Sequence, residues 1–235
     1  MTRSVLILQH VAVERPGLIG ATLTEFGLPW LAETVVDARD PEALPPVEDL
    51  AGVVILGGPM GARDVDAHPG LELEAGLARA AFDADVPLLG VCLGHQIIAA
   101  ALGGSLHRAA AAEFGIGPVE VLGDDLVFGS AGDTHQVLHW HRDAVDAPDG
   151  ATVLAATTTT PNQSFRIGSA LGIQFHLELD RQMLDEWLTT PAMAADLSPE
   201  VRDRIVDDFT AAESRLLRLG QTVFESFARA AQRRR

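Results

Sequence analysis

The sequence predicts an α/β architecture: an open, mostly parallel sheet with helices on both faces, an antiparallel extension, and helices at the C-terminus. Three observations carry that expectation. Up to Leu102, short apolar runs bounded by turn residues alternate with longer amphipathic stretches, the rhythm of strand–helix–strand units. The apolar runs are nearly continuous rather than alternating, as strands buried on both faces must be. From Glu113 to Phe175 the texture changes to short extended segments separated by many turn signals, which is the pattern of antiparallel pairing.

Ser4–Gln9 reads as a buried strand and Pro16–Phe26 as a helix with proline at its start. Glu33–Asp37 is expected to be the second strand, and the acidic, proline-rich Asp40–Asp49 a surface loop. Val53–Leu56 is a third strand ending in Gly57-Gly58-Pro59, Leu71–Phe82 a helix, and Val86–Val91 a fourth strand running into Cys92 and a helix over Gly94–Leu102. The extension comprises Pro118–Val121, Gln136–Trp140, Thr152–Thr157, Gln163–Ile167 and Ala170–Phe175. From Asp180 onward the pattern is helical. Ser198-Pro199-Glu200 supplies a cap, a proline at the first position and an acidic first turn, followed by Val201, Ile205, Phe209, Ala212 and Leu216 at helical spacing. No repeat or long linker divides the chain, so one domain over 1–235 is expected, with a helical extension over about 180–235.

Composition excludes several classes. Apolar residues make up 47% of the 235 positions, enough for a substantial core. A net charge of −16 argues against nucleic acid or an anionic membrane as partner, because both require a basic face. Val5-Leu6-Ile7-Leu8 is too short for a signal core or a membrane span, so a cytoplasmic location is expected. The single cysteine excludes an internal disulfide and makes a metal–thiolate cluster implausible.

A lone cysteine is most often a small buried hydrophobe, but the residues around Cys92 point to chemistry. In Gly90-Val91-Cys92-Leu93-Gly94-His95-Gln96 a buried strand passes through a cysteine flanked by glycines directly into a helix, a nucleophile elbow with sulfur in place of oxygen. A thiolate there sits at the positive end of a helix, and the Leu93 N–H points where an oxyanion forms. Gly57-Gly58-Pro59 ends its strand at the carboxyl edge of the sheet, where open parallel sheets bind ligands; Gly57 is expected beside substrate and Gly58 as a second oxyanion donor. In Gln174-Phe175-His176-Leu177-Glu178, extended chain puts His176 and Glu178 on one side, so Glu178 can orient the imidazole while His176 takes the thiol proton.

These three motifs, in this order, resemble the class I glutamine amidotransferases over roughly residues 50 to 180. Leu138-His139-Trp140-His141-Arg142-Asp143 and Pro161-Asn162-Gln163-Ser164-Phe165 bring the likeness nearest to stand-alone proteins related to the amidotransferase domain of GMP synthase. The resemblance implies a flavodoxin-like sheet and a reaction in which Cys92 attacks the γ-amide of glutamine, ammonia leaves, and water releases glutamate from a γ-glutamyl thioester. It further implies Cys92, His176 and Glu178 as triad, Gly58 and Leu93 as oxyanion hole, and Gln96 beside the glutamyl group. Leu177 stands where the family usually has proline, which restores an N–H and frees a torsion. No Walker-type phosphate loop is present, so ammonia is expected to pass to a separate synthetase partner or to be released. A γ-glutamyl peptide or amine is the alternative substrate, and a redox or non-catalytic role is the third reading.

The other histidines are less informative. His135, His139 and His141 invite a metal reading, but no cysteine is near and no carboxylate can be placed beside them from sequence, so no metal or other cofactor is expected. Alternation puts His139 and His141 on one strand face flanking Trp140, and His141 is expected to contact substrate. His10, Glu14 and Arg15 follow the first strand at the ligand-binding edge and are expected to border the same pocket.

Overall fold

A computed structural model of the chain describes residues 3–40, 44–195 and 197–234. Its centre is a nine-stranded sheet of order β2-β1-β3-β4-β11-β10-β9-β6-β7. Strands β1 (Ser4–Leu8), β2 (Trp30–Glu33), β3 (Leu50–Ile55), β4 (Leu88–Val91) and β11 (Ala170–Ile173) are mutually parallel. Strands β6 (Glu113–Val121), β7 (Thr134–His141), β9 (Thr152–Ala156) and β10 (Ser164–Ile167) continue the sheet in antiparallel fashion from β11. A small second ribbon pairs β5 (Leu106–His107) with β8 (Ala144–Val145).

Helices cover both faces because the inner strands are apolar on both sides. On β1, Val5 and Ile7 join one buried cluster while Leu6 and Leu8 join the other, the alternation a pleated strand imposes. The first cluster receives α1 (Gly17–Glu25), α4 (Arg181–Thr189), the short α5 (Pro191–Ala194) and α6 (Pro199–Gln232); the second receives α2 (Gly70–Asp83) and α3 (Leu93–Ala101). Ser198 caps α6 by accepting from Val201 N, and Ile205, Phe209, Ala212 and Leu216 are buried along its inner stripe. Among the described residues no helix is long and apolar enough to cross a membrane.

One strand departs from expectation. The second strand is Trp30–Glu33, not Glu33–Asp37. Its residues are all exposed at the sheet edge, whereas Val35 and Val36 are buried in the following loop against the second cluster. The apolar pair Val35-Val36 suits a strand, but the Val36 carbonyl accepts from Gly70 N at the start of α2 instead of joining the sheet. The loop expected over Asp40–Asp49 lies partly outside the described residues, as does Arg235; Val47–Asp49 forms a short 3₁₀ turn.

Candidate active site

The carboxyl ends of β1, β3, β4 and β11 lie side by side, and each delivers part of one site. Cys92 follows β4 with φ 52° and ψ −103°, a conformation that side-chain-bearing residues rarely adopt. Neighbouring elements hold it: Cys92 N donates to Ile173 O at 2.8 Å and Gly94 N to Leu56 O at 3.1 Å. A Cβ on Gly94 would overlap the Ile55 carbonyl, so glycine is what lets α3 start directly against β3.

His176 lies just past β11, its backbone N donating to Leu138 O at 2.9 Å. Its Nδ1 is 2.6 Å from Glu178 Oε1. A carboxylate only accepts, so Nδ1 carries a hydrogen and the ring's other nitrogen is left to Cys92. The ring engages Cys92 by hydrogen bond and charge and stands edge-on to Trp187 at 4.9 Å, whose own Nε1 donates to Val13 O at 2.8 Å. Burial works against a charged imidazole here, but Glu178 and Cys92 outweigh it and hold His176 well above its ordinary pKa. Burial pushes the Cys92 thiol up, opposed by His176, and the thiol also donates to Trp140 O at 3.7 Å. Leu177 does more than stand in for proline: its N–H donates to Glu178 Oε2 at 2.9 Å, so both carboxylate oxygens are held.

A second carboxylate adjoins Cys92, His176 and Glu178. Glu14, from the loop after β1, is 3% exposed, and its Oε2 has no hydrogen-bond partner among the described residues. Burial, with repulsion from Glu178, raises its pKa to about 7 against the attraction of His176 and His10. A Cβ on Gly57 would overlap that Oε2 and lie 3.2 Å from His176 Cε1, so the glycine makes room for Glu14 beside the imidazole. His10 bonds Gly57 O through Nδ1 at 2.8 Å and Glu74 Oε2 through Nε2 at 2.9 Å. Both partners are acceptors, which requires an imidazolium. Although burial opposes it, the Glu74 contact keeps the His10 pKa raised.

Cys92, His176, Glu14, Gly58, Leu93 and Gln96 border one cavity of about 290 Å³, and His141 forms part of its wall. Gly57 is not part of that lining; it holds His10 and admits Glu14. Gln96 Nε2 is fixed by Gln174 Oε1 at 3.0 Å and reaches Asp143 O at 3.4 Å. Arg15 turns away to pair with Glu186 on α4. At the mouth, Arg108 pairs with Asp64 at 2.6 Å and Arg142 lies over the Phe114 ring at 4.7 Å. Sequence reasoning did not find Trp187, Glu74 or Arg108, because each reaches the site from an element whose docking no local pattern encodes. Behind the wall, Glu113, His139 and His141 come together, a set able to hold a metal ion.

This fold with this site defines a class: the chain belongs to the class I glutamine amidotransferase family, whose model matches residues 30–188. Among curated relatives, the glutamine-hydrolysing GMP synthase of Aeropyrum pernix is 36% identical over 184 residues, covering 73% of this chain and 33% of the relative. The corresponding enzyme of Thermobifida fusca is 35% identical over 146 residues, 59% of this chain and 26% of its own length. The chain thus spans about a third or less of these relatives. Two solved structures match nearly end to end: a glutamine amidotransferase from Thermotoga maritima (TM-score 0.86, 28% identity, 97% of this chain and 99% of that one) and another from Methylobacillus flagellatus (TM-score 0.85, 28% identity, 98% and 96%).

Proposed function

We propose that the protein hydrolyses the γ-amide of glutamine through a γ-glutamyl thioester, with Cys92, His176 and Glu178 as triad. The observation that carries this reading is a cysteine on a strained strand–helix elbow, engaged by a histidine whose Nδ1 is locked by Glu178, opening on one small cavity. In the first half-reaction the thiol proton passes to His176 and sulfur attacks the amide carbon. The oxyanion is held by the N–H groups of Leu93, the first residue of α3, and of Gly58. The intermediate collapses as His176 returns the proton to the leaving nitrogen, releasing ammonia. A water then attacks the thioester with His176 as base, giving glutamate and the free thiol. Gln96 and His141 border the glutamyl group, Gly57 supports the oxyanion loop, and Arg108 and Arg142 at the mouth suit an α-carboxylate. The ammonia passes to a separate synthetase partner or is released, with no cofactor in the step.

A γ-glutamyl amine or peptide is the second reading, favoured by the open side of the cavity, which leaves an amine-side substituent room toward solvent. The decisive test is intact-protein mass spectrometry after exposure to a diazo-ketone analogue of glutamine, with iodoacetamide as control. Because Cys92 is the chain's only thiol, any adduct is assigned at once. The expected result is one adduct per chain, formed at least about a hundredfold more slowly in His176→Ala. Labelling by iodoacetamide but not by the glutamine analogue would remove glutamine as substrate.

A further inference from the structure

The β6–β7 register sets Glu113 opposite His141 and Gly115 opposite His139, with the two histidines on one face and their ring centres 6.1 Å apart. One ligand-type atom from each of Glu113, His139 and His141 lies within 4.8 Å of the others. The protons on these rings are the telling feature. His141 Nδ1 is 3.2 Å from Asp143 O, which only accepts, so Nδ1 carries the hydrogen. His141 Nε2 then lies 3.2 Å from Glu113 Oε2 and 3.4 Å from Gln163 Nε2. For bonds of about 2.0–2.1 Å, the nitrogen–oxygen edge of a tetrahedral site is about 3.3 Å.

His139 repeats the pattern. It is 4% exposed, and backbone groups of Gly117 and Pro118 engage its ring, the latter necessarily a carbonyl because proline has no N–H. Its Nδ1 is buried with no hydrogen-bond partner among the described residues. Metal-bound histidines characteristically give their other N–H to a backbone carbonyl in this way. Thr160 Oγ1 and Gln163 Nε2 each donate to Glu113 Oε2 at 2.7 Å and fix its orientation. Glu113 and His139 also line an open recess between β6 and β9 through which an ion can enter.

We propose that Glu113, His139 and His141 form a binding site for a divalent transition-metal ion of the zinc type. The ion clamps β6 to β7 directly behind the catalytic cavity, whose wall includes His141 and whose thiol bonds to the Trp140 carbonyl on the same strand. The competing arrangement is a proton on His141 making a simple ion pair with Glu113. It leaves His139 Nδ1 buried and without a hydrogen-bond partner among the described residues, whereas an ion bound through that nitrogen gives it one.

The experiment uses the Cys92→Ser protein, so that the catalytic thiol cannot supply a ligand. After incubation with Zn²⁺ or Co²⁺ and removal of unbound ion, metal content is measured by elemental mass spectrometry and affinity by calorimetry. One ion per chain is expected, bound at least about tenfold more weakly in His139→Ala and in Glu113→Gln. His135→Ala should bind unchanged, since that ring bonds to Phe128 O outside the cluster. Should either variant fail to fold by circular dichroism, X-ray absorption of the Zn²⁺-loaded Cys92→Ser protein decides, with two imidazoles and a carboxylate expected. No retained ion, retention undiminished in folded His139→Ala, or an absorption spectrum without two imidazoles would overturn the site. None of these readouts uses turnover, so their failure leaves the proposed amidase reaction untouched.

Discussion

Glu14 shows how one buried residue ties the candidate site to stability. An unfolded glutamate loses its proton near pH 4.3, about, whereas folded Glu14 keeps its proton to about pH 7. Between these values the folded state binds more protons than the unfolded one, so stability falls as pH rises through the window and is level above it. Glu14→Gln stays neutral and should lose that component. Urea unfolding of both proteins from pH 4 to pH 8 is expected to show the variant gaining up to about 3 kcal/mol relative to the parent across the window. Parallel curves would mean Glu14 is ionised throughout. Glu14 was legible as a pocket residue because it follows the first strand; His10, expected there too, does not line the cavity but holds Gly57 from outside it. The orphaned Oε2 was not legible, since it depends on Gly57 and His176 arriving from other strands. Leu177 is similar: loss of proline was visible in sequence, but the use of its N–H by Glu178 required coordinates.

At the scale of elements, the site depends on loops braced from outside it. The turn after β3 is fixed because Gly57 O accepts from His10, which is held in turn by Glu74 on α2. Both side chains of that pair are essentially inaccessible to solvent. Glu74→Ala leaves a buried imidazole facing nothing and should cost about 3–5 kcal/mol in chemical denaturation. It should also slow alkylation of Cys92 by the glutamine analogue more than by iodoacetamide, because the oxyanion loop is displaced. Equal slowing of both reagents would place the effect on the thiol instead. The strand carrying Cys92 and the helix after it were readable from Gly90 and Gly94, whose spacing has one purpose at an elbow. The second strand was not: Val35 and Val36 have the apolarity of a strand, but α2 takes the backbone group that a sheet neighbour would have used.

Across the whole molecule, α6 is the element that unites the two halves of the sheet. This helix of 34 residues packs against α1, reaches β3 through Phe227 beside Gly52, and reaches the antiparallel extension through Ile205 beside Gly115. Phe224, fully buried on it, lies in the same cluster as Val5, Ile7 and Val54 from the parallel strands. Phe224→Ala should lower stability by about 3–5 kcal/mol in urea unfolding. A loss below about 1 kcal/mol would show that the helix is docked without contributing to the core. The amphipathic stripe of α6 was evident from spacing alone; its partners were not, because periodicity states that a face is buried and never against what.

The sequence by itself determined the class of fold, the nucleophile elbow and the order of the three motifs. Each of these rests on local constraints: continuous apolarity in doubly covered strands, glycine where backbones meet, and a two-residue period linking His176 to Glu178. Tertiary structure alone decided that the Glu14 carboxylate lies beside His176, that Gly57 serves Glu14 and His10 rather than lining the cavity, and that Glu113 faces His139 and His141. Glu113 and His141 are distant in sequence and meet only through antiparallel register. That register is set by packing of the whole sheet, a long-range property that no short stretch of sequence contains.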